Sequence, residues 1–170
     1  MPHYRIIDGA SQLAMREGVA GTAAQGCRVA VVAARYNADI VDRLVEGAAA
    51  AWARQGGDPE ALTLVRAPGA FELPLLARKL AVTGHYAAIV TLGCVIRGDT
   101  AHFDFVAGEA ARGIADAATA TGVPVIFGVL TTENVEQALE RASIDRMDKG
   151  GEAMDAALEM AAVLRQIGAP

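Results

Sequence analysis

Cysteine is nearly missing from this sequence: Cys27 and Cys94 are the only two in 170 residues. That is too few for a disulfide framework or a cysteine-built zinc site. Aromatic residues are scarce too, at 5%. A surplus of basic charge is also lacking, since 15 Lys and Arg stand against 20 Asp and Glu, for a formal net charge of −5. Nucleic-acid binders draw much of their affinity from neutralising phosphates and show a basic face, so no nucleic-acid partner is expected. The longest apolar stretch, Tyr86–Ile96, falls well short of the ~20 residues that span a bilayer. The N-terminal stretch MPHYRIIDGASQLAMREGVAG carries no continuous apolar block, so neither a secretory signal nor a membrane partner is expected. These absences together lead us to expect a cytoplasmic protein.

Apolar side chains are abundant, at 53% without counting glycine, against roughly 45–50% with glycine included in ordinary soluble domains. Much of the excess is alanine at helical spacing. A chain this apolar is expected to bury part of its surface against copies of itself, as a homo-oligomer. Its length suits one domain with a sizeable core.

Residues 1–27 are mixed in composition and read as an N-terminal arm, ahead of a domain over 28–170. Within that domain four apolar runs alternate with helical patterns. Arg28–Ala34 is a β-branched strand candidate, and Asn37 is placed to cap a helix whose apolar face is Ile40, Val41, Leu44, Val45, Ala48 and Trp52. Gly56-Gly57-Asp58-Pro59 ends that helix. Leu62–Val65 reads as a second strand, broken by Pro68-Gly69. A second helix follows, with Leu73, Leu76, Ala77 and Leu80 on one face and Pro74 tolerated in its first turn. Ala87–Ile96 is the third strand. The helix after it carries Val106, Ala110, Ile114 and Ala117. Val125–Leu130 is the fourth strand. Two helices complete the chain, one with Val135, Ala138, Leu139 and Ala142, the other with Ala153, Ala157, Met160, Ala161 and Leu164, joined by the polar stretch Ser143–Asp148.

Buried strands alternating with helices imply a mostly parallel four-stranded sheet covered on both faces. Right-handed crossovers then favour a flavodoxin-like three-layer α/β/α sandwich. Ligands in such sheets bind beyond the carboxyl ends of the strands, which directs attention to Arg35–Asn37, Ala67–Glu72, Cys94–His102 and Phe127–Thr132.

The junction after strand three, GCVIRGDTAHFDFV over 93–106, is the richest. Its start superficially resembles the phosphate loop G-x-x-x-x-G-K-[ST]. Asp99 stands where that motif needs Lys, and Gly93–Ile96 belong to the strand, so a nucleoside-triphosphate site is not expected. Gly98, Asp99 and Thr100 are expected to open a helix, whose free N–H groups attract an anion; Asp99 or Thr100 as a simple cap fits equally well. His102 falls in the first turn of that helix, where an imidazole suits proton transfer near neutral pH, although a lone histidine there is also an ordinary surface residue. Arg141 closes the short helix after strand four, either offsetting the helix dipole or clamping an anion bidentately. Glu72 sits at a helix N-terminus, a favourable place for any carboxylate. Tyr36 and Phe127 lie at strand ends and are compatible with core packing or with stacking on a planar ligand. Cys94, inside a buried strand, reads as packing rather than as a nucleophile.

Taken together, RYN at 35–37, PGAFELP at 68–74, GCVIRGDTAHFDFV at 93–106, PVIFGVLTTENVEQALERA at 124–142 and DKGGEA at 148–153 resemble the lumazine synthase family of riboflavin synthesis. The resemblance runs over roughly residues 28–165. It implies an enzyme that condenses 5-amino-6-(D-ribitylamino)uracil with 3,4-dihydroxy-2-butanone 4-phosphate to give 6,7-dimethyl-8-ribityllumazine, phosphate and water, with no metal or cofactor. By resemblance, Tyr36 would stack on the pyrimidine, where the family usually has Phe or Trp. Ala70, Phe71 and Glu72 would hold the ribityl chain, and Cys94, Val95 and Ile96 would line the pyrimidine pocket. Asp99, Thr100 and Arg141 would hold the phosphate, His102 would transfer protons, and Phe127 would reach in from a neighbouring subunit. The resemblance also implies a homopentamer with active sites between subunits. Many members carry a Gly- and Lys-containing turn ending in AGN, associated with icosahedral shells. Ser143–Asp148 replaces it here, which favours the pentamer over a decamer or a shell. Two other readings remain open to the residues alone: a flavin- or lumazine-binding protein without catalysis, and an unrelated flavodoxin-like phosphate binder.

Overall fold

The computed structural model describes residues 21–168. Four strands form one sheet in the order β2-β1-β3-β4, with every neighbouring pair parallel. Strand β1 (Val29–Ala34) and strand β3 (Ala88–Ile96) are central and apolar nearly throughout, as expected of strands covered on both faces. Strand β2 (Leu62–Ala67) and strand β4 (Val125–Thr132) are the edges.

Side-chain alternation along the central strands divides the core in two. Val29, Val31 and Ala33 of β1, with Val90, Leu92 and Cys94 of β3, pack against helices α1 (Ala38–Arg54), α4 (Val135–Ala142) and α5 (Lys149–Gly168). Ala30, Val32 and Ala34, with Ile89 and Val95, pack on the other face against α2 (Leu73–Ala81) and α3 (His102–Thr121). The result is the three-layer α/β/α sandwich expected from the sequence. At the far end of α1, Trp52 is buried and its indole N–H donates to the Asp58 carbonyl at 3.0 Å, which satisfies the polar edge of a large core ring.

Of the expected arm, residues 1–20 lie outside the described residues. The segment 21–27 packs on the end of α1: the Gly21 N–H donates to the Arg54 carbonyl and the Ala24 N–H to that of Gln55, while Ala23, Ala24 and Cys27 join the core. Among the described residues no helix is long and apolar enough to cross a membrane.

Two local expectations are corrected. Asn37 does not cap α1 with its side chain. It adopts the left-handed conformation (φ 57°, ψ 46°) and sends its amide elsewhere, and α1 begins instead on its backbone carbonyl, which accepts the N–H groups of Ile40 and Val41. Gly98, Asp99 and Thr100 do not open α3, which starts at His102. They form a loop ahead of it, because the Thr100 hydroxyl accepts the His102 N–H at 3.4 Å and so turns the chain into the helix from outside.

Candidate active site

Strands β1 and β3 are neighbours, yet the chain leaves β1 toward β2 on one side and reaches β3 on the other. A crevice opens at their carboxyl ends where these paths diverge. It holds a cavity of about 790 Å³, lined by Tyr36 and Asn37 after β1, Pro68–Glu72 after β2, Cys94–Ile96 at the end of β3, Gly98 and Thr100 in the following loop, and His102, Phe103, Phe105 and Val106 of α3.

Three junctions shape it. Pro68 and Gly69 end β2, and the Glu72 carboxylate folds back to accept the Gly69 N–H at 3.0 Å, which holds the turn while leaving the carboxylate exposed. Ala70 is buried beneath this turn, whereas Phe71 presents its ring outward. At the end of β3, burial pushes the Cys94 thiol up to about 11. It is therefore a neutral packing group near pH 7, as the sequence suggested. The loop 98–100 is flanked by Arg97, whose guanidinium lies 4.2 Å over the Phe103 ring. Arg97 also pairs with Asp104 at 3.3 Å and with Glu133 at 3.1 Å. Those two carboxylates, led by Glu133, which accepts a hydrogen bond from Arg97 Nε, hold the guanidinium in its charged form.

Of the twelve residues singled out in the sequence, nine line this cavity: Tyr36, Ala70, Phe71, Glu72, Cys94, Val95, Ile96, Thr100 and His102. Asp99 is exposed in the same loop without lining it. Phe127 and Arg141 lie apart, in a second cleft of about 380 Å³ along the β4 edge, with Thr131, Lys149 and Glu152. There Arg141 donates to the Gln137 carbonyl of its own helix at 3.1 Å, and Lys149 pairs with Glu152 at 2.6 Å. Sequence reasoning missed Asn37, Phe103 and Lys149 as lining residues. Asn37 belongs to the RYN triplet, Phe103 to GCVIRGDTAHFDFV and Lys149 to DKGGEA, so the stretches were identified while these members of them were not. Among the described residues no cluster of His, Cys, Asp and Glu is arranged to hold a metal.

Mouth and floor differ in character. Tyr36, Phe71 and Phe105 are 73%, 56% and 69% exposed around the opening, whereas Cys94 and Val95 at the base are buried. Rings left this open beside a cavity mark a surface for binding.

The comparisons with known proteins agree on one family. The profile of 6,7-dimethyl-8-ribityllumazine synthase matches residues 26–165. The chain is 54% identical over 140 residues to the 6,7-dimethyl-8-ribityllumazine synthase of Chlorobium phaeovibrioides, covering 82% of this chain and 90% of that one. It is 56% identical over 144 residues to that of Deinococcus radiodurans, covering 85% and 93%, and 54% identical over 144 residues to that of Nitratidesulfovibrio vulgaris strain DP4, covering 85% and 92%. With its parallel sheet, its cavity at the β1/β3 divergence and a match across most of its length, the chain belongs to the 6,7-dimethyl-8-ribityllumazine synthase family.

Proposed function

We propose that the cavity at the ends of β1 and β3 is one half of a shared active site, completed by the β4-edge cleft of an adjacent copy in a homopentamer. The reaction is the family's: ribitylaminouracil and the butanone phosphate are condensed to the lumazine, with loss of phosphate and water. The observation that carries the proposal is the separation within one chain. Phe127 and Arg141 line a cleft of their own, while the rings at the mouth of the cavity stand uncovered.

In this reading Tyr36 stacks on the pyrimidine, Cys94–Ile96 form its wall, and Ala70, Phe71 and Glu72 hold the ribityl chain. Asp99 and Thr100, with the neighbour's Arg141, seat the phosphate, and the neighbour's Phe127 covers the ring. His102 moves protons during imine formation, phosphate elimination and ring closure. Holding two substrates in register supplies up to ~7–11 kcal/mol of barrier reduction in favourable cases, so residues that position and one that shuttles protons suffice. The division into an arm (1–27) and a catalytic domain (28–170), and the cytoplasmic location, belong to the same proposal.

The test uses two variants and their mixture. His102→Ala is expected to lower kcat, within the ~10²–10⁴-fold that general acid–base help contributes, without abolishing turnover. Arg141→Ala is expected to raise KM for the butanone phosphate. Refolding the two together pairs an intact His102 cavity with an intact Arg141 cleft at some interfaces, so activity should exceed the average of the separate variants. No recovery on mixing would place both half-sites within one chain, and an unchanged KM would remove Arg141 from phosphate binding.

A further inference from the structure

The parallel pairing of β1 with β3 runs from Val29↔Ala88 to Ala33↔Leu92 and stops there, because β1 ends at Ala34. Strand β3 continues to Ile96 with β4 alone as its partner. Successive residues of a parallel strand turn their N–H and C=O groups to opposite sides. The Arg97 N–H donates to Thr132 on the β4 side, so the groups of Cys94 and Ile96 face the side that β1 has vacated. A continuing β1 would answer the Cys94 carbonyl with a backbone amide. The chain has instead turned away, and the Tyr36 N–H donates to Pro68 at 3.1 Å.

Asn37 answers in its place. Its side-chain amide donates to the Cys94 carbonyl at 2.9 Å across 57 residues of sequence. It can do so because its backbone takes the left-handed turn (φ 57°), a conformation that asparagine tolerates better than most residues. The geometry points to Asn37 as a positioning residue that replaces the missing rung of the β1–β3 ladder. It occupies the Cys94 carbonyl, fixes the end of β3 on the side that β1 has vacated, and leaves the backbone edge of Ile96, which has no strand opposite it on that side, open to the cavity. An extended residue offers one N–H and one C=O on that edge, which matches the amide edge of a pyrimidinedione. Asn37 thus governs how well the heterocycle seats. The loop 98–100 is held separately, where the Thr100 hydroxyl accepts the His102 N–H. This inference rests on the proposal that Cys94–Ile96 form the wall against the pyrimidine.

Two variants of the full-length enzyme test it. Asn37→Gly keeps the left-handed backbone accessible and deletes the amide. Asn37→Asp keeps the size and the turn but replaces the donor with an acceptor facing a carbonyl. Both are expected to raise KM for ribitylaminouracil about five- to tenfold, the equivalent of one hydrogen bond. KM for the butanone phosphate and the saturated kcat should stay within about twofold. A merely structural role would move both KM values together, or neither while lowering the melting temperature, and either pattern overturns the assignment. Arg141→Ala, run alongside, separates the two levels of the argument. If it raises KM for the phosphate while the Asn37 variants leave KM for the pyrimidine unchanged, the positioning role falls and the site stands. If all variants bind both substrates normally, the site itself has been misplaced.

Discussion

Gly150 and Gly108 both lie inside helices, and replacing each by alanine is expected to move stability in opposite directions. Gly150, in the first turn of α5, sits against the backbone of α1. A Cβ built there would lie 2.0 Å from the Leu44 carbonyl oxygen and 2.8 Å from its Cα. No side chain can rotate away to relieve that contact, so the helices themselves must separate. Restoring ordinary contact at 3.4 Å requires a shift of about 1.4 Å at this end, and a gap of even 0.5–1 Å forfeits roughly a quarter to a half of the dispersion attraction across it. Leu44 on α1 and Met154 on α5 are fully buried close to this point. Asn37 and α1 also begin the wall of the cavity, so the disturbance is not confined to the surface. We expect Gly150→Ala to cost about 3 kcal/mol, at the upper end of the overpacking range, a fall in melting temperature of roughly 6–12 °C for a domain of this size. Gly108, in the second turn of α3, has nothing within 4 Å of the same built atom. Gly108→Ala should therefore gain about 0.5–1 kcal/mol from helix propensity alone. Both are read by thermal unfolding followed by circular dichroism at one fixed protein concentration, since assembly makes the midpoint concentration-dependent. A Gly150→Ala protein melting within about 2 °C of the wild type would refute the account of the α1–α5 contact.

Two further predictions concern ionisable groups, one partly buried and one buried. Asp148 takes a positive φ of 43° and accepts the Gly151 N–H at 3.0 Å at the start of α5. Its carboxyl is nevertheless raised above the usual 3.8, chiefly by burial. A raised carboxyl keeps its proton longer when folded, so its stabilising effect is present at low pH and is lost as pH climbs above 3.8. Asp148→Asn keeps the acceptor, tolerates the left-handed turn and removes the buried charge. It should melt at or above the wild-type temperature at neutral pH, whereas Asp148→Ala should lose ~1 kcal/mol for the cap alone; an Asn variant as unstable as the Ala one would show that the charge itself is needed. The second group is the Cys94 thiol, raised from 9.0 to about 11 by burial. The unfolded chain then releases this proton first, so stability should fall between pH 9 and 11. Cys94→Ala should lack that part of the alkaline slope, and denaturant unfolding at pH 8 and pH 10.5 measures it; equal slopes in both proteins would contradict the burial argument.

The architecture was legible because both of its periodicities were clean. Val29–Ala34 and Ala88–Ile96 are buried on both faces and therefore read as unbroken apolar runs, while α1 and α5 carry apolar stripes at helical spacing. The carboxyl ends of β1 and β3 followed, and with them the cavity, while β2 and β4 each run two residues past the expected Val65 and Leu130. Most of what stayed hidden depends on contacts between residues distant in sequence. Asn37 looked like a cap because capping is a local rule, yet its amide is used by Cys94, which only the sheet brings near. The loop 98–100 looked like a helix start because glycine, aspartate and threonine favour such starts, but Thr100 turns the chain two residues before His102. The assignment of Phe127 and Arg141 to a separate cleft depends on β4 being an edge, and strand order is not written in strand composition.

The lone tryptophan gives the protein an optical reporter. Trp52 lies 14 positions into α1 from Ala38, roughly 21 Å along the helix axis from the turn that begins the cavity. Its indole is sealed between core side chains and the Asp58 carbonyl, and glycine at position 57 is what lets the ring lie flat against the chain, since a Cβ there would fall 2.1 Å from it. Its emission wavelength consequently follows the opening of the α1 core to water. Ligands entering at the opposite end of the helix can quench the intensity of this fluorophore without shifting its colour, so one spectrum distinguishes occupancy from unfolding.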